Sequence, residues 1–100
     1  MGFQVVISTL AKADLKEITE YIAKDNPSAA LRFANALLDD DLSLGQSPMR
    51  GSVLKRRREV RRLVKSPYLI YYRIEEGTET VQVLRFWHGA RHPKTPRLDE

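Results

Sequence analysis

The chain has no cysteine, which excludes disulfides, thiolate metal sites and a cysteine nucleophile together. It has only two histidines, His88 and His92, and no tyrosine beyond Tyr72. No run comes near the ~18 apolar residues that a membrane span requires. The first residues show no basic stretch leading into an apolar one, so the reading expects no signal peptide, no membrane partner and residence in the cytoplasm. Internal repeats and low-complexity tracts are also absent. What remains is one folding unit of 100 residues, 42% apolar and 30% charged. That suffices for one modest core without covalent staples and leaves no room for a separate cofactor domain.

Charge is distributed unevenly. Residues 1–49 carry four basic and seven acidic side chains, and residues 50–100 carry thirteen and six, so the two parts stand at −3 and +7. The basic part points to an acidic or polyanionic partner. Its densest stretch is Lys55-Arg56-Arg57-Arg58 followed by Arg61, Arg62 and Lys65, seven cations against Glu59 alone. A charged edge strand that resists edge pairing explains part of this run. Seven cations exceed that need, and a docking site for an acidic segment centred on Arg57, Arg58, Arg61 and Arg62 is the expectation. No helix-turn-helix or aromatic-studded sheet accompanies the run, so direct sequence-specific DNA binding is not expected of the chain alone.

Hydrophobic periodicity orders the elements. Phe3, Val5 and Ile7 alternate and predict a strand. Ser8 or Thr9 offers a helix cap, and Ala11, Leu15, Ile18 and Ile22 follow at helical spacing, predicting a helix over residues 9–24. Asn26-Pro27 starts a second helix, with Ala30, Phe33, Ala34, Leu37, Leu38 and Leu42 as its apolar stripe and Gly45 as its terminator. So short a connection makes the two helices an antiparallel hairpin. The triplet Asp39-Asp40-Asp41 is expected at the end of the second helix as a solvated face; it cannot aim enough oxygens at one point to hold a metal.

After a loop over residues 47–52 come three expected strands, 59–65, 68–75 and 80–88, in an antiparallel meander with a turn at Glu76-Gly77-Thr78. Tyr68, Ile70, Tyr72 and Ile74 share one face, and Leu69, Tyr71 and Arg73 share the other. The fold class is therefore α+β in the order β-α-α-β-β-β, a helical hairpin on one face of a mainly antiparallel four-stranded sheet. Ile70, Tyr72, Ile74, Leu84 and Phe86 are expected to cover the helices, leaving Arg73, Arg85 and a partly exposed Trp87 on an open face. Residues 92–100 read as an extended tail that only Leu98 and two prolines could anchor.

Four stretches in this order resemble the RelE/ParE superfamily of type II toxins, the ParE branch above all. They are Tyr21-Ile22-Ala23-Lys24-Asp25-Asn26-Pro27 with Ala30 and Phe33, the loop holding Pro48 and Gly51, Tyr68-Leu69-Ile70-Tyr71-Tyr72-Arg73, and Leu84-Arg85-Phe86-Trp87-His88-Gly89-Ala90-Arg91. The resemblance spans residues 3–91 as a single toxin domain and is most specific at the closing His-Gly-Ala-Arg. It implies a small bacterial toxin neutralised by a cognate antitoxin, ParD-like or similar, which is expected to bind across the helical hairpin and the basic sheet edge at Arg57, Arg58, Arg61 and Arg62. ParE-type members poison DNA gyrase; RelE-type members cleave mRNA on the ribosome.

Between these activities the fold does not decide, so the residues must. RNA cleavage needs a general base, a general acid and cations on the phosphate. Arg73, Arg85 and His88 are the nearest this chain offers to a nuclease set, and no acid/base pair stands out among them. Binding to gyrase is therefore the expectation, with mRNA cleavage, or a degenerate toxin acting only in operon co-repression, as alternatives. Arg73, Arg85, His88 and Arg91 are the expected target contacts. His88 is expected to be structural, tying the last strand to the tail through its ring. Gly89 is expected to let the chain leave that strand at an angle that presents Arg91, His92 and Lys94. Neither a metal nor a cofactor is expected; His88 and His92 could share an ion only on a helix, which Pro93 opposes.

Overall fold

A computed structural model describes residues 2–65, 67–89 and 96–98, the side chains of residues 40–42 excepted. Strand β1 (Gln4–Ile7) leads into helices α1 (Thr9–Ala23) and α2 (Pro27–Gln46). A 3-10 turn (Pro48–Arg50) follows, then strands β2 (Ser52–Val53), β3 (Val60–Lys65), β4 (Tyr68–Glu75) and β5 (Thr80–His88). The sheet has five strands in the order β1-β5-β4-β3-β2, one more than expected, because Ser52 and Val53 pair with Arg62 and Arg61 at the edge. β1 runs parallel to β5, and the remaining pairs are antiparallel. The chain reaches β5 from β1 only through the rest of the fold.

Both helix starts are fixed by side-chain caps. Ser8 Oγ accepts from the Ala11 N–H at 3.1 Å, and Asn26 Oδ1 accepts from the Ala29 N–H at 3.0 Å, with Pro27 in the first turn. Each cap satisfies a donor that the helix cannot and is worth about 1 kcal/mol. The helices pack on each other and over β1 and β5. Their apolar faces meet Ile70, Tyr72, Val81, Val83 and Phe86 in one core. Fully burying side chains such as Leu37, Tyr72 and Phe86 contributes roughly 1.5–3 kcal/mol apiece.

Four expectations change. α2 runs past Gly45 to Gln46, because Gly45 serves a close approach instead of a terminator. Its carbonyl accepts from the Phe3 N–H at 2.6 Å, and a Cβ there would lie 2.6 Å from the Phe3 carbonyl oxygen. The longer helix places Asp39 and its neighbours before the last turn, where they do not oppose the dipole at the C-terminus. Leu44 is wholly buried while Leu38 is 43% exposed, so the apolar stripe turns away from the expected one; the Leu42 side chain lies outside the description. Gly89 has no positive φ; its would-be Cβ meets Leu69 at 3.4 Å.

The sheet's reverse face is also less open than expected. Tyr71 pairs with Arg85 but Tyr72 pairs with Val83, so Leu84 is an extra residue in β5, a β-bulge. The bulge inverts the alternation, and Leu84 turns to the reverse side. There it joins Val60, Tyr71 and Leu98 in a second core, with Leu54, Leu69 and Trp87 against it. Pro96 and Leu98 are buried, so the end of the tail lies back across the sheet.

One tyrosine staples the loop before β2. Tyr72 Oη accepts from the Gly51 N–H and donates to the Pro48 carbonyl, both at 2.7 Å. Burial raises the Tyr72 pKa above its ordinary value, and the Gly51 hydrogen bond only partly opposes it. A raised folded pKa means that the stabilisation is complete below the unfolded value of 10.0 and is lost as pH rises through the folded one. Tyr72→Phe strands a buried N–H and should cost about 1–3 kcal/mol at pH 7. The variant's melting temperature should also fall less steeply above pH ~10 than that of the parent, as thermal melts across pH would show.

Candidate functional site

β1 stops at Ile7, opposite Val83, and β5 continues for five residues with no strand on that edge. Groups from the start of α1 take over that edge. The Ser8 N–H donates to the Val83 carbonyl at 2.9 Å, and its hydroxyl donates to the Leu84 carbonyl at 3.0 Å. One turn on, Asp14 Oδ2 accepts from the Phe86 N–H at 3.1 Å. The same carboxylate grips Arg85, with Nε on Oδ2 at 2.6 Å and Nη2 on Oδ1 at 2.9 Å. Arg85 reaches round the edge to donate through Nη1 to the Arg97 carbonyl at 2.8 Å, and its guanidinium lies 5.1 Å from the Trp87 ring centre.

This pair is well shielded, with side-chain exposures of 14% and 15%. The Asp14 hydrogen bonds raise the Arg85 pKa, and burial opposes them with smaller effect. Arg85 is thus a clamp joining α1, β5 and the C-terminal segment. A cavity of about 180 Å³ opens beside it, lined also by Glu17, Ile18 and His88. With Arg85 already matched, Asp14 and Glu17 make that mouth unwelcoming to a phosphate.

The expected contact residues are divided between faces. Arg73 lies on the reverse side and donates to Gln82 at 2.6 Å and Glu75 at 3.1 Å. Its register partners are Val60 and Gln82, whereas Arg85 pairs with Tyr71. His88 stands opposite Tyr68 on the helix side, with rings edge to face at 4.9 Å; Tyr68 in turn packs on Phe33 at 4.5 Å. So Arg85 and His88 reach the same cavity and Arg73 does not. Arg91, His92 and Lys94 lie outside the described residues.

The basic quartet is divided as well. Arg61 faces the helix side and donates to the Gly51 carbonyl at 2.8 Å. Arg62, its neighbour in β3, is exposed on the reverse side, paired in register with Tyr71. Arg57 and Arg58 sit in the β2–β3 loop, where Arg57 Nε meets Glu59 at 2.9 Å. Glu59 is held below the ordinary carboxylate range by its own backbone N–H first and by Arg57 second. Among the described residues, no three histidines, aspartates or glutamates gather where they could hold a metal ion.

The other surface expected to take part in antitoxin docking is the outer side of the helical hairpin. A groove of about 310 Å³ runs between α1 and α2, lined by Thr19, Glu20, Ala23, Ala30, Leu31 and Ala34. Leu31 is 65% exposed and Tyr21 52%. Leu31 and Leu38 fall seven residues apart on α2, outside the stripe that Phe33, Leu37 and Leu44 form.

Breaking a buried pair leaves an uncompensated charge, which costs about 3–5 kcal/mol in full burial. Asp14→Ala should therefore lose roughly 3 kcal/mol, since it also strands the Phe86 N–H. Arg85→Met alone should lose less. The double variant should recover part of the sum, and a double-mutant cycle from urea unfolding reads the coupling directly.

Comparison with known proteins places this architecture. The chain matches the family model for the ParE toxin of the type II toxin-antitoxin system parDE over residues 5–93. It is 38% identical over 89 residues to toxin RelE2 of Caulobacter vibrioides, covering 88% of this chain and 97% of that one. Among solved structures it is similar to a chain of the RelBE2 toxin-antitoxin complex from Mycobacterium tuberculosis. That match has a TM-score of 0.68 and 25% identity, over 88% of this chain and 99% of the other. A chromosomal ParDE system from P. aeruginosa gives a TM-score of 0.70 at 22% identity, over 86% and 95%, a likeness of fold. The chain belongs to the ParE toxin family of type II toxin-antitoxin systems, within the RelE/ParE superfamily.

Proposed function

We propose that this toxin acts in the cytoplasm by binding DNA gyrase, without breaking a bond itself, and is neutralised by a cognate antitoxin. The observation that supports the binding mode is the commitment of Arg85. A nuclease on this sheet needs its cations aimed at a phosphate and an acid or base beside them. Arg85 instead faces a carboxylate in the cavity it shares with His88, and Arg73, on the other face from His88, is bonded to Glu75 and Gln82. The name of the 38% identical relative, toxin RelE2, is what favours mRNA cleavage on the ribosome as a second reading.

The purified chain should inhibit gyrase supercoiling and leave mRNA intact in cell-free translation. Cleaved mRNA with normal supercoiling would transfer the chain to the RelE-type reading. Silence in both assays would mark a degenerate toxin that acts only in operon co-repression.

Arg91 remains the proposed target contact of the C-terminal segment. Removing everything after Ala90 would also strip Pro96 and Leu98 from the second core, so loss of toxicity there would be ambiguous. Arg91→Ala avoids this: growth inhibition should fall while the melting temperature holds.

For the antitoxin, the hairpin groove suits an amphipathic helix, since its alanines allow close approach and Leu31 and Leu38 supply exposed apolar area. Leu31→Glu with Leu38→Glu replaces two exposed side chains. It should weaken antitoxin binding ~100-fold or more in calorimetry, as loss of central apolar anchors does.

A further inference from the structure

The reverse of the sheet carries a hollow of about 460 Å³ between the β2–β3 loop and residues 96–98. Its floor is aliphatic, formed by Leu54, Pro96 and Leu98. Its rim is cationic, with Lys55, Arg56 and Arg97 all exposed. Among the described residues, none lining it carries a carboxylate. Both walls are fixed by the fold. The loop is closed by the Leu54 N–H on the Val60 carbonyl at 3.0 Å and the Val60 N–H on the Arg57 carbonyl at 2.9 Å. The opposite wall is held by Arg85 on the Arg97 carbonyl at 2.8 Å and by burial of Leu98 to 7% exposure. Cations that only protect a sheet edge have no reason to ring an apolar hollow on a face.

We propose that this groove receives an acidic peptide segment of a partner protein. One aliphatic side chain of the segment sits between Leu54 and Leu98, and flanking carboxylates sit on Arg56 and Arg97. Guanidinium groups match carboxylates in bidentate geometry, and the aliphatic floor sets the register. A single-stranded nucleic acid fits less well. It carries a charge at every phosphate and gains affinity by stacking bases on aromatic faces, and among the described residues no aromatic ring lines this groove. The site is separate from the hairpin groove, so it stands or falls independently of the antitoxin contact proposed there.

The test is fluorescence anisotropy on the full chain with a labelled Glu-Glu-Leu-Leu-Glu-Glu peptide, an all-glutamate hexapeptide and a labelled uridine RNA. The leucine-bearing peptide should bind tightest. Arg56→Glu with Arg97→Glu should weaken it ~10-fold or more, as reversal of close charge pairs does, with an unchanged thermal melt. If that variant melts early, Arg56→Gln with Arg97→Gln replaces it, and the same loss is expected. Peptide binding that ignores both variants would overturn the proposal. So would equal affinity for the two peptides, which removes the role of the floor. RNA that binds more tightly than the peptide and is lost in the same variants would assign the groove to nucleic acid instead.

Discussion

A strand that ends early must have its neighbour's edge satisfied by something else, and the rest of this molecule is arranged around that need. β5 outruns β1 by five residues, and its outward N–H and C=O groups lie under α1. An unpaired buried donor or acceptor costs about 1–3 kcal/mol. Ser8 and Asp14 remove that cost from one short stretch of chain. Ser8 caps α1 and at the same time holds the Leu84 carbonyl; Asp14, on the next turn, takes the Phe86 N–H. The carboxylate that does this is charged and largely buried, so it requires a cation. Arg85, adjacent to the strand group being satisfied, provides it.

The bulge at Leu84 makes that cation available. In a regular β5, Leu84 and Arg85 would point to opposite faces, and one of them would be wrongly placed for its chemistry. With one extra residue, both turn to the reverse side. Leu84 then seeds a second apolar cluster that brings Leu98 back onto the sheet, and Arg85 spans from Asp14 to the Arg97 carbonyl. The C-terminal segment is thus fixed by an apolar contact and a charge-assisted hydrogen bond, both consequences of the same irregularity.

Much of this could be read from the residues. The alternation of Tyr68 to Ile74 assigned both faces of β4 correctly, and the caps at Ser8 and Asn26 set the helix starts, because these features depend on neighbours within four residues. The bulge has no such local mark, so Leu84 was placed on the wrong side. Arg85 and Asp14 are 71 residues apart, and only the packed fold brings them together. Gly45 reads locally as a helix terminator, while its actual constraint is the backbone of Phe3 across the interface. Arg61 belongs to the same class: it reads as one cation in a basic run, and the Gly51 carbonyl that engages it lies just before an edge strand too short to show as periodicity.

The arginines therefore fall into two groups with different physical roles. Arg85, Arg73 and Arg61 are bound by groups of their own chain, and each holds two parts of the fold together. Arg56, Arg58, Arg62 and Arg97 are exposed. A guanidinium already matched to a carboxylate in a shielded site loses that pairing before it can serve an incoming phosphate, and the exchange recovers little. An exposed guanidinium gives up only water. In this chain the fold engages cations on β3, β4 and β5. The exposed ones stand around the β2–β3 loop and the C-terminal segment, where recognition of a partner asks only for complementary charge and an apolar seat.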